Sequence, residues 1–98
     1  MNPLWQRVQS SFERQQFSTL LGMKLESVEQ GRVSVSCQRK PELTQQQGLL
    51  HGGVVTAVAD VACGYAALTT VQEGQEVLTA ELKINLLRPV TGKKIVAN

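Results

Sequence analysis

Residues 50–71 read LHGGVVTAVADVACGYAALTTV. From Gly53 onward the apolar residues fall on every side of a helical wheel: Val54, Val55, Ala57, Val58, Ala59, Val61, Ala62, Cys63, Tyr65, Ala66, Ala67 and Leu68. A surface helix shows one apolar stripe, so this run predicts a core helix over 53–71 that is surrounded by protein. At 1.5 Å per residue it would be about 28 Å long. It does not read as a membrane span, which needs about 20 mostly apolar residues and tolerates a central carboxylate poorly. Here Thr56, Asp60, Gly64, Thr69 and Thr70 interrupt the run. One all-apolar helix is hidden only where a sheet curls against it or a second layer covers it.

The flanking sequence supplies that sheet. Residues 23–29 and 32–40 read as two strands. In the second, Val33, Val35 and Cys37 alternate with Ser34, Ser36 and Gln38. Gln30-Gly31 between them is a hairpin turn, because glycine accepts positive φ. Pro41 ends the second strand, and residues 41–50 form a polar loop holding Gln45, Gln46 and Gln47. After the helix, residues 77–88 read as a long strand. Leu78, Ala80, Leu82, Ile84 and Leu86 line one face, and Thr79, Glu81, Lys83 and Asn85 the other. Residues 93–97 begin a further strand. Before the sheet, Asn2-Pro3 looks like a cap and first helical turn, and Leu4, Trp5, Val8 and Phe12 recur at near-helical spacing. This predicts an amphipathic helix over 3–16, with Trp5, Phe12 and Phe17 packing beneath it. The layout is α+β with an antiparallel sheet.

Ninety-eight residues make one domain, 1–98. A composition of 42% hydrophobic and 18% charged residues excludes a disordered or fibrous chain. A net charge of +2 is too small to argue for a nucleic-acid partner, and neither segment composition nor helix length argues for a membrane. Cys37 and Cys63 fit no zinc or CxxC spacing. With an N-terminus that has no signal-like apolar core, they read as reduced thiols of a cytoplasmic protein, Cys63 as a small buried hydrophobe. With one histidine and no ligand cluster, no metal site is expected.

The chemistry concentrates on His51 and Asp60, the only histidine and the only aspartate. Asp60 interrupts the most apolar segment, and a buried carboxylate needs a partner, a wet cavity or a catalytic role. The plainer reading is a satisfied structural carboxylate. His51-Gly52-Gly53 opens the helix, where free N–H groups and the macrodipole can hold a carbonyl oxygen and the negative charge that develops on it. The plainer reading there is a tight turn. Gly52 and Asp60 are eight residues apart, about 12 Å along one helix. A site using both needs two antiparallel helices, which a two-fold dimer provides.

The stretch Gln45-Gln46-Gln47-Gly48-Leu49-Leu50-His51-Gly52-Gly53, followed six residues later by Asp60 and then by Leu78-Thr79-Ala80-Glu81-Leu82-Lys83-Ile84-Asn85-Leu86-Leu87-Arg88-Pro89, resembles the hotdog-fold acyl-CoA thioesterases. Within them it is most similar to the phenylacetate-pathway type. The resemblance implies a hotdog fold, with a sheet wrapped around the long helix. It assigns Asp60 as nucleophile or as general base toward water. It assigns the Gly52 N–H to polarising the thioester carbonyl, with Gly53 beside it. His51 orients the loop or the thioester, and Thr79 helps position the attacking water. Where many members carry asparagine, this chain has Gln45, whose role Gln46 could take instead. Arg88, Lys93 and Lys94 are candidates for the phosphates of coenzyme A, against a plainer reading as solvated surface charge.

The implied activity is hydrolysis of an acyl-CoA to free acid and coenzyme A, with no cofactor beyond the coenzyme A of the substrate. The assembly is a dimer or a dimer of dimers with shared sites. Two rivals stand beside this: a non-catalytic acyl-CoA-binding or sensing module, and a hotdog hydroxyacyl-thioester dehydratase. Two further expectations concern geometry and length. If the apolar face of 77–88 packs on its own helix, Thr79 points away, toward a partner's site, unless the strand twists. Hotdog domains generally carry two more strands beyond the point where this chain stops, so the 98 residues read as most of a domain.

Overall fold

The computed structural model describes residues 2–98. Helix α1 spans Pro3–Glu13 and α2 spans Gln16–Leu21. Strand β1 is Met23–Glu29 and β2 is Arg32–Gln38. A single 3-10 turn, Pro41–Leu43, leads through the glutamine loop into α3, Gly52–Leu68. Strand β3 is Lys94–Ala97.

Asn2 caps α1 as its sequence predicts, its side-chain Oδ1 accepting from Leu4 N–H at 2.9 Å. The single helix expected over 3–16 is two helices. Gln15 is extended, at φ −85° and ψ 98°, and the chain turns there. The Gln15 side chain accepts from the Ser18 hydroxyl, tying the corner to the first turn of α2 side chain to side chain. Val8 and Phe12 are buried under α1, and Trp5 is half-buried. Phe17, expected to pack, is 52% exposed because the corner swings it outward.

The sheet is antiparallel in the order β1-β2-β3. The hairpin pairs Met23 with Cys37 and Glu29 with Arg32, and Gly31 takes the turn at φ +80°, a backbone region that favours glycine. Central β2 pairs with β3, from Val35 opposite Ala97 to Gln38 opposite Lys94. Its predicted polar face is covered as well. Ser34 and Ser36 are buried, and Ser36 Oγ donates to Glu26 Oε2 at 3.1 Å. The Cys37 thiol is buried, 3.3 Å from the Leu21 carbonyl oxygen, and burial pushes its pKa up, with Lys40 pulling weakly the other way.

Helix α3 lies on β2 and turns one stripe inward: Val54, Val58, Ala62, Tyr65 and Leu68. That stripe meets Val33, Val35 and Val8 to form the core. Much of the rest of α3 is half-buried, and Cys63, read from sequence as buried, is exposed. The helix ends three residues before the predicted Val71. Two tethers hold that end. Arg7 of α1 donates to the carbonyls of Val71 and Gln72 at 2.9 and 2.8 Å. Thr69 Oγ1 accepts from Gly31 N–H at 2.7 Å, joining helix end to hairpin turn.

The strand expected over 77–88 is not formed. Among the described residues, the backbone of 76–90 makes no backbone–backbone hydrogen bond. No other strand lies beside it, and a strand exists only through its ladder. The segment instead runs back along α3: Thr79 meets Asp60 partway along the helix, and Leu86 meets Gly52 at its start. Leu78, expected inward, is 92% exposed.

Candidate active site

Asp60 sits two turns into α3 and is half-buried. Thr79 Oγ1 donates to its Oδ1 at 2.7 Å. The two belong to the same chain. The sequence left open whether Thr79 faces a partner's site or, through a local twist, its own helix; here it meets its own helix, since 77–88 has no ladder to fix its faces and the carboxylate takes the hydroxyl. Asp60 Oδ2 takes no hydrogen bond from the described residues. Pair and helix line a cleft of about 420 Å³ whose other walls include Ser11, Gln15, Gly64 and Tyr65. The Tyr65 hydroxyl lies 3.1 Å from Ser11 Oγ and 3.4 Å from Gln15 Nε2. Ser11 and Gln15 carry no signal in the sequence that joins them to Asp60, since it is the packing of α1 over α3 that brings them there.

The helix mouth is a second, separate place. His51 is exposed and caps α3, its Nδ1 accepting from Gly53 N–H at 2.8 Å. That hydrogen bond puts the imidazole proton on Nε2. It also engages the Gly53 amide, so the Gly52 N–H, which has no acceptor among the described residues, is the donor left for a ligand. A Cβ at Gly52 would stand 2.7 Å from Leu86 Cδ1, the end of an exposed side chain that would have to swing aside to admit it.

The glutamine loop is self-closed. Gln45 Oε1 accepts from the N–H groups of Gln47 and Leu49 at 2.6 and 3.2 Å, and Gln45 Nε2 donates to Gln47 Oε1 at 2.9 Å. Gln45 therefore shapes the loop through its carboxamide. Gln45, Gly52, Leu86 and Arg88 line a cleft of about 440 Å³ there. Gln46 is exposed and lines neither cleft.

Within one chain, then, Asp60 is brought to Thr79, and Gly52 to Gln45 and Arg88, but the two groups are not brought together. The two clefts share no lining residue. Eight residues of α3 separate Gly52 from Asp60, about 12 Å of rise. Lys93 and Lys94 lie away from Arg88, in a third groove with Arg39 and Lys40. Among the described residues no cluster of three metal-ligating side chains occurs.

A long helix laid on an antiparallel sheet, with a glycine amide at its mouth and a carboxylate two turns in, defines a class. Residues 47–98 match the family model of the thioesterase superfamily. The chain belongs to that superfamily and has its hotdog α+β fold. A thioesterase family protein from Silicibacter pomeroyi superposes with a TM-score of 0.92 at 41% identity, covering 95% of this chain and 68% of that one. The Escherichia coli PaaI protein, from the phenylacetic acid degradation operon, shares the fold with a TM-score of 0.84 at 22% identity, over 95% and 66% of the two chains. In sequence, an esterase-named protein of Saccharolobus solfataricus is 40% identical over 75 residues, 76% of this chain and 53% of that protein. The medium/long-chain acyl-CoA thioesterase YigI of Escherichia coli K12 is 27% identical over 96 residues, 83% and 62% of the two. The chain spans about half the length of the first of these curated relatives. No helix among the described residues is long and apolar enough to cross a membrane.

Proposed function

We propose that the protein hydrolyses acyl-CoA thioesters, with Asp60 as general base and the Gly52 amide as oxyanion donor, in a site completed by a second copy of the chain. The observation that carries this reading is the Thr79–Asp60 hydrogen bond at 2.7 Å. A threonine hydroxyl has one proton and two lone pairs. With the proton directed at Asp60 Oδ1, the lone pairs can accept from a water that Oδ2 deprotonates. Water oxygen then bonds to the thioester carbon, and its proton passes to Asp60. Negative charge moves to the carbonyl oxygen, where the Gly52 N–H and the α3 dipole stabilise it. Collapse breaks the carbon–sulfur bond, and the departing thiolate takes the proton back from Asp60. His51, by capping α3, holds the mouth in shape.

The partner is required by distance. Asp60 lies about 12 Å along α3 from the amide of its own chain, so the carboxylate serving that amide comes from an antiparallel α3, as a two-fold axis supplies. The relatives' names support thioester hydrolysis in general, and medium or long acyl chains are named for YigI. A binding-only module remains the second reading, because one chain alone keeps donor and base apart. A dehydratase would have to use His51 through Nε2, since Nδ1 is engaged in the cap.

The test is hydrolysis of an acyl-CoA panel by wild type and Asp60→Asn. The variant should keep its circular dichroism and melting temperature and lose about 10²–10⁴-fold in kcat. Undiminished turnover overturns the role of Asp60. Tight acyl-CoA binding without turnover by wild type overturns hydrolysis in favour of the binding module.

A further inference from the structure

The Asp60 cleft holds a glycine that the backbone does not ask for. Resting on the hydrolase reading above, we propose that Gly64 sets the acyl selectivity of the site, by keeping open a channel along α3 for a slender, unbranched apolar acyl chain. Gly64 lies inside α3, four residues before its end. Glycine in a helix interior is destabilising relative to alanine, so the position needs a reason. The other glycines supply theirs by geometry. Gly22, Gly31, Gly48 and Gly74 take positive φ, and Gly52 and Gly53 form the helix mouth. Gly64 does neither. Among the described residues, a Cβ there would meet nothing within 4 Å beyond the backbone of its own helix. No turn and no tight neighbour keeps a side chain out. What a side chain would occupy is the cleft that Gly64 lines together with Asp60.

The helical repeat gives this cleft a direction. Asp60, Gly64 and Leu68 follow one another at four-residue steps on one face and all line it. Each step is about 6 Å of rise. The opposite wall runs the other way, from Thr79 at the carboxylate back to Val77. In the proposed mechanism the thioester carbon lies at Asp60, so an acyl group laid in the cleft crosses Gly64 about 6 Å on. A two-carbon acyl group ends before it, and an eight-carbon chain passes it.

The lining also says what kind of chain fits. Helix α1 covers the cleft with Ser11 and Gln15, but these polar groups use their hydrogen bonds on one another and on Tyr65. The Tyr65 hydroxyl lies 3.1 Å from Ser11 Oγ and accepts from Gln15 Nε2 at 3.4 Å, while Gln15 Oε1 accepts from the Ser18 hydroxyl. They ask for no partner from a ligand. Val61, Leu68 and Val77 offer apolar contact instead. The occupant is therefore apolar, and narrow where it crosses the helix at Gly64.

The test compares wild type with Gly64→Ala, Gly64→Leu and Cys63→Leu on straight-chain acyl-CoAs from acetyl to decanoyl. Cys63→Leu puts the same side chain on the exposed neighbouring position, outside the cleft. Gly64→Ala should raise the melting temperature by about 4 °C, because it removes the helix-interior glycine. A lower melting temperature shows that the backbone itself needs glycine and overturns the proposal. The ratio of kcat/KM for octanoyl-CoA over acetyl-CoA should fall about tenfold or more in Gly64→Leu, and by less in Gly64→Ala. Cys63→Leu should keep the wild-type ratio. An unchanged ratio in Gly64→Leu overturns the proposal and leaves the hydrolase standing. Equal loss on every chain length, or the same fall in Cys63→Leu, assigns the position to folding or subunit packing and overturns it too. A binding arm keeps the two readings apart. S-octyl-coenzyme A and S-methyl-coenzyme A, thioethers that cannot be hydrolysed, are titrated calorimetrically. The octyl group should tighten binding to wild type and not to Gly64→Leu. That result in a protein that turns over no thioester keeps the channel and overturns hydrolysis. Equal affinity of wild type for both thioethers overturns the channel.

Discussion

Thr79 and Asp60 form a pair whose chemistry is separable from its packing. Thr79→Val keeps the shape of the side chain and removes the hydroxyl, so Asp60 loses its one hydrogen-bond donor and a bound water loses its acceptor. Thr79 is exposed, so the fold should not notice. The expected result is a melting temperature within about 2 °C of wild type and a kcat lowered about 10–100-fold, the size of a lost hydrogen bond to a charged group. Thr79→Ser keeps the hydroxyl and should recover most of the rate. Steady-state kinetics of the two variants decides it, and a fully active Thr79→Val removes Thr79 from the mechanism. The sequence made Asp60 legible, because a carboxylate in an apolar run demands a reason. It left open which way Thr79 faces. Alternation fixes which face a side chain takes only in a strand, and 77–88 has no ladder.

At the scale of elements, what the sequence showed best was what local rules control. The β1–β2 hairpin, with its glycine turn at positive φ, has the bounds expected for β1 and ends two residues early in β2, before Pro41. The start of α3 was legible within one residue, because a helix mouth is written in caps and glycines. What escaped was settled by partners far along the chain. Arg7 reaches the carbonyls that close α3, Gln15 breaks the N-terminal helix by turning over Tyr65, and Arg39 ties the glutamine loop to Thr91. None of these leaves a periodic trace. The cap on α3 yields a prediction of its own. His51→Ala removes the acceptor for the Gly53 N–H and should lower stability by about 1 kcal/mol. His51→Asn supplies a strong capping side chain and should restore it. If His51 acts only by shaping the mouth, kcat should follow the same order. Urea denaturation and kinetics on the same samples test this. Restored stability with activity still absent would show that the imidazole itself contacts the substrate.

At the scale of the whole molecule, the proposed site is split into two halves along one helix. The sheet buries one stripe of α3, and what remains is a carboxylate cleft near its middle and an amide donor at its mouth, with no lining residue in common. A hydrolytic site needs both within reach of one carbonyl, and a rigid helix cannot fold back on itself. In the proposed dimer, two antiparallel copies solve the problem twice, each lending Asp60 and Thr79 to the other's Gly52. This makes a prediction that no single-chain site can imitate. Asp60→Asn retains a working mouth, and Gly52→Pro, which removes the amide proton at the first position of α3, where proline is tolerated, retains a working carboxylate. Each variant alone should be inactive. Co-expressed in equal amounts with different affinity tags, half of the dimers are mixed, and each mixed dimer holds one intact site. The pool should recover about a quarter of wild-type turnover, and purification through both tags should raise this to about half. A mixture as inactive as its components, with the doubly tagged dimer shown to be present, would place Asp60 and Gly52 in separate functions and remove the shared site.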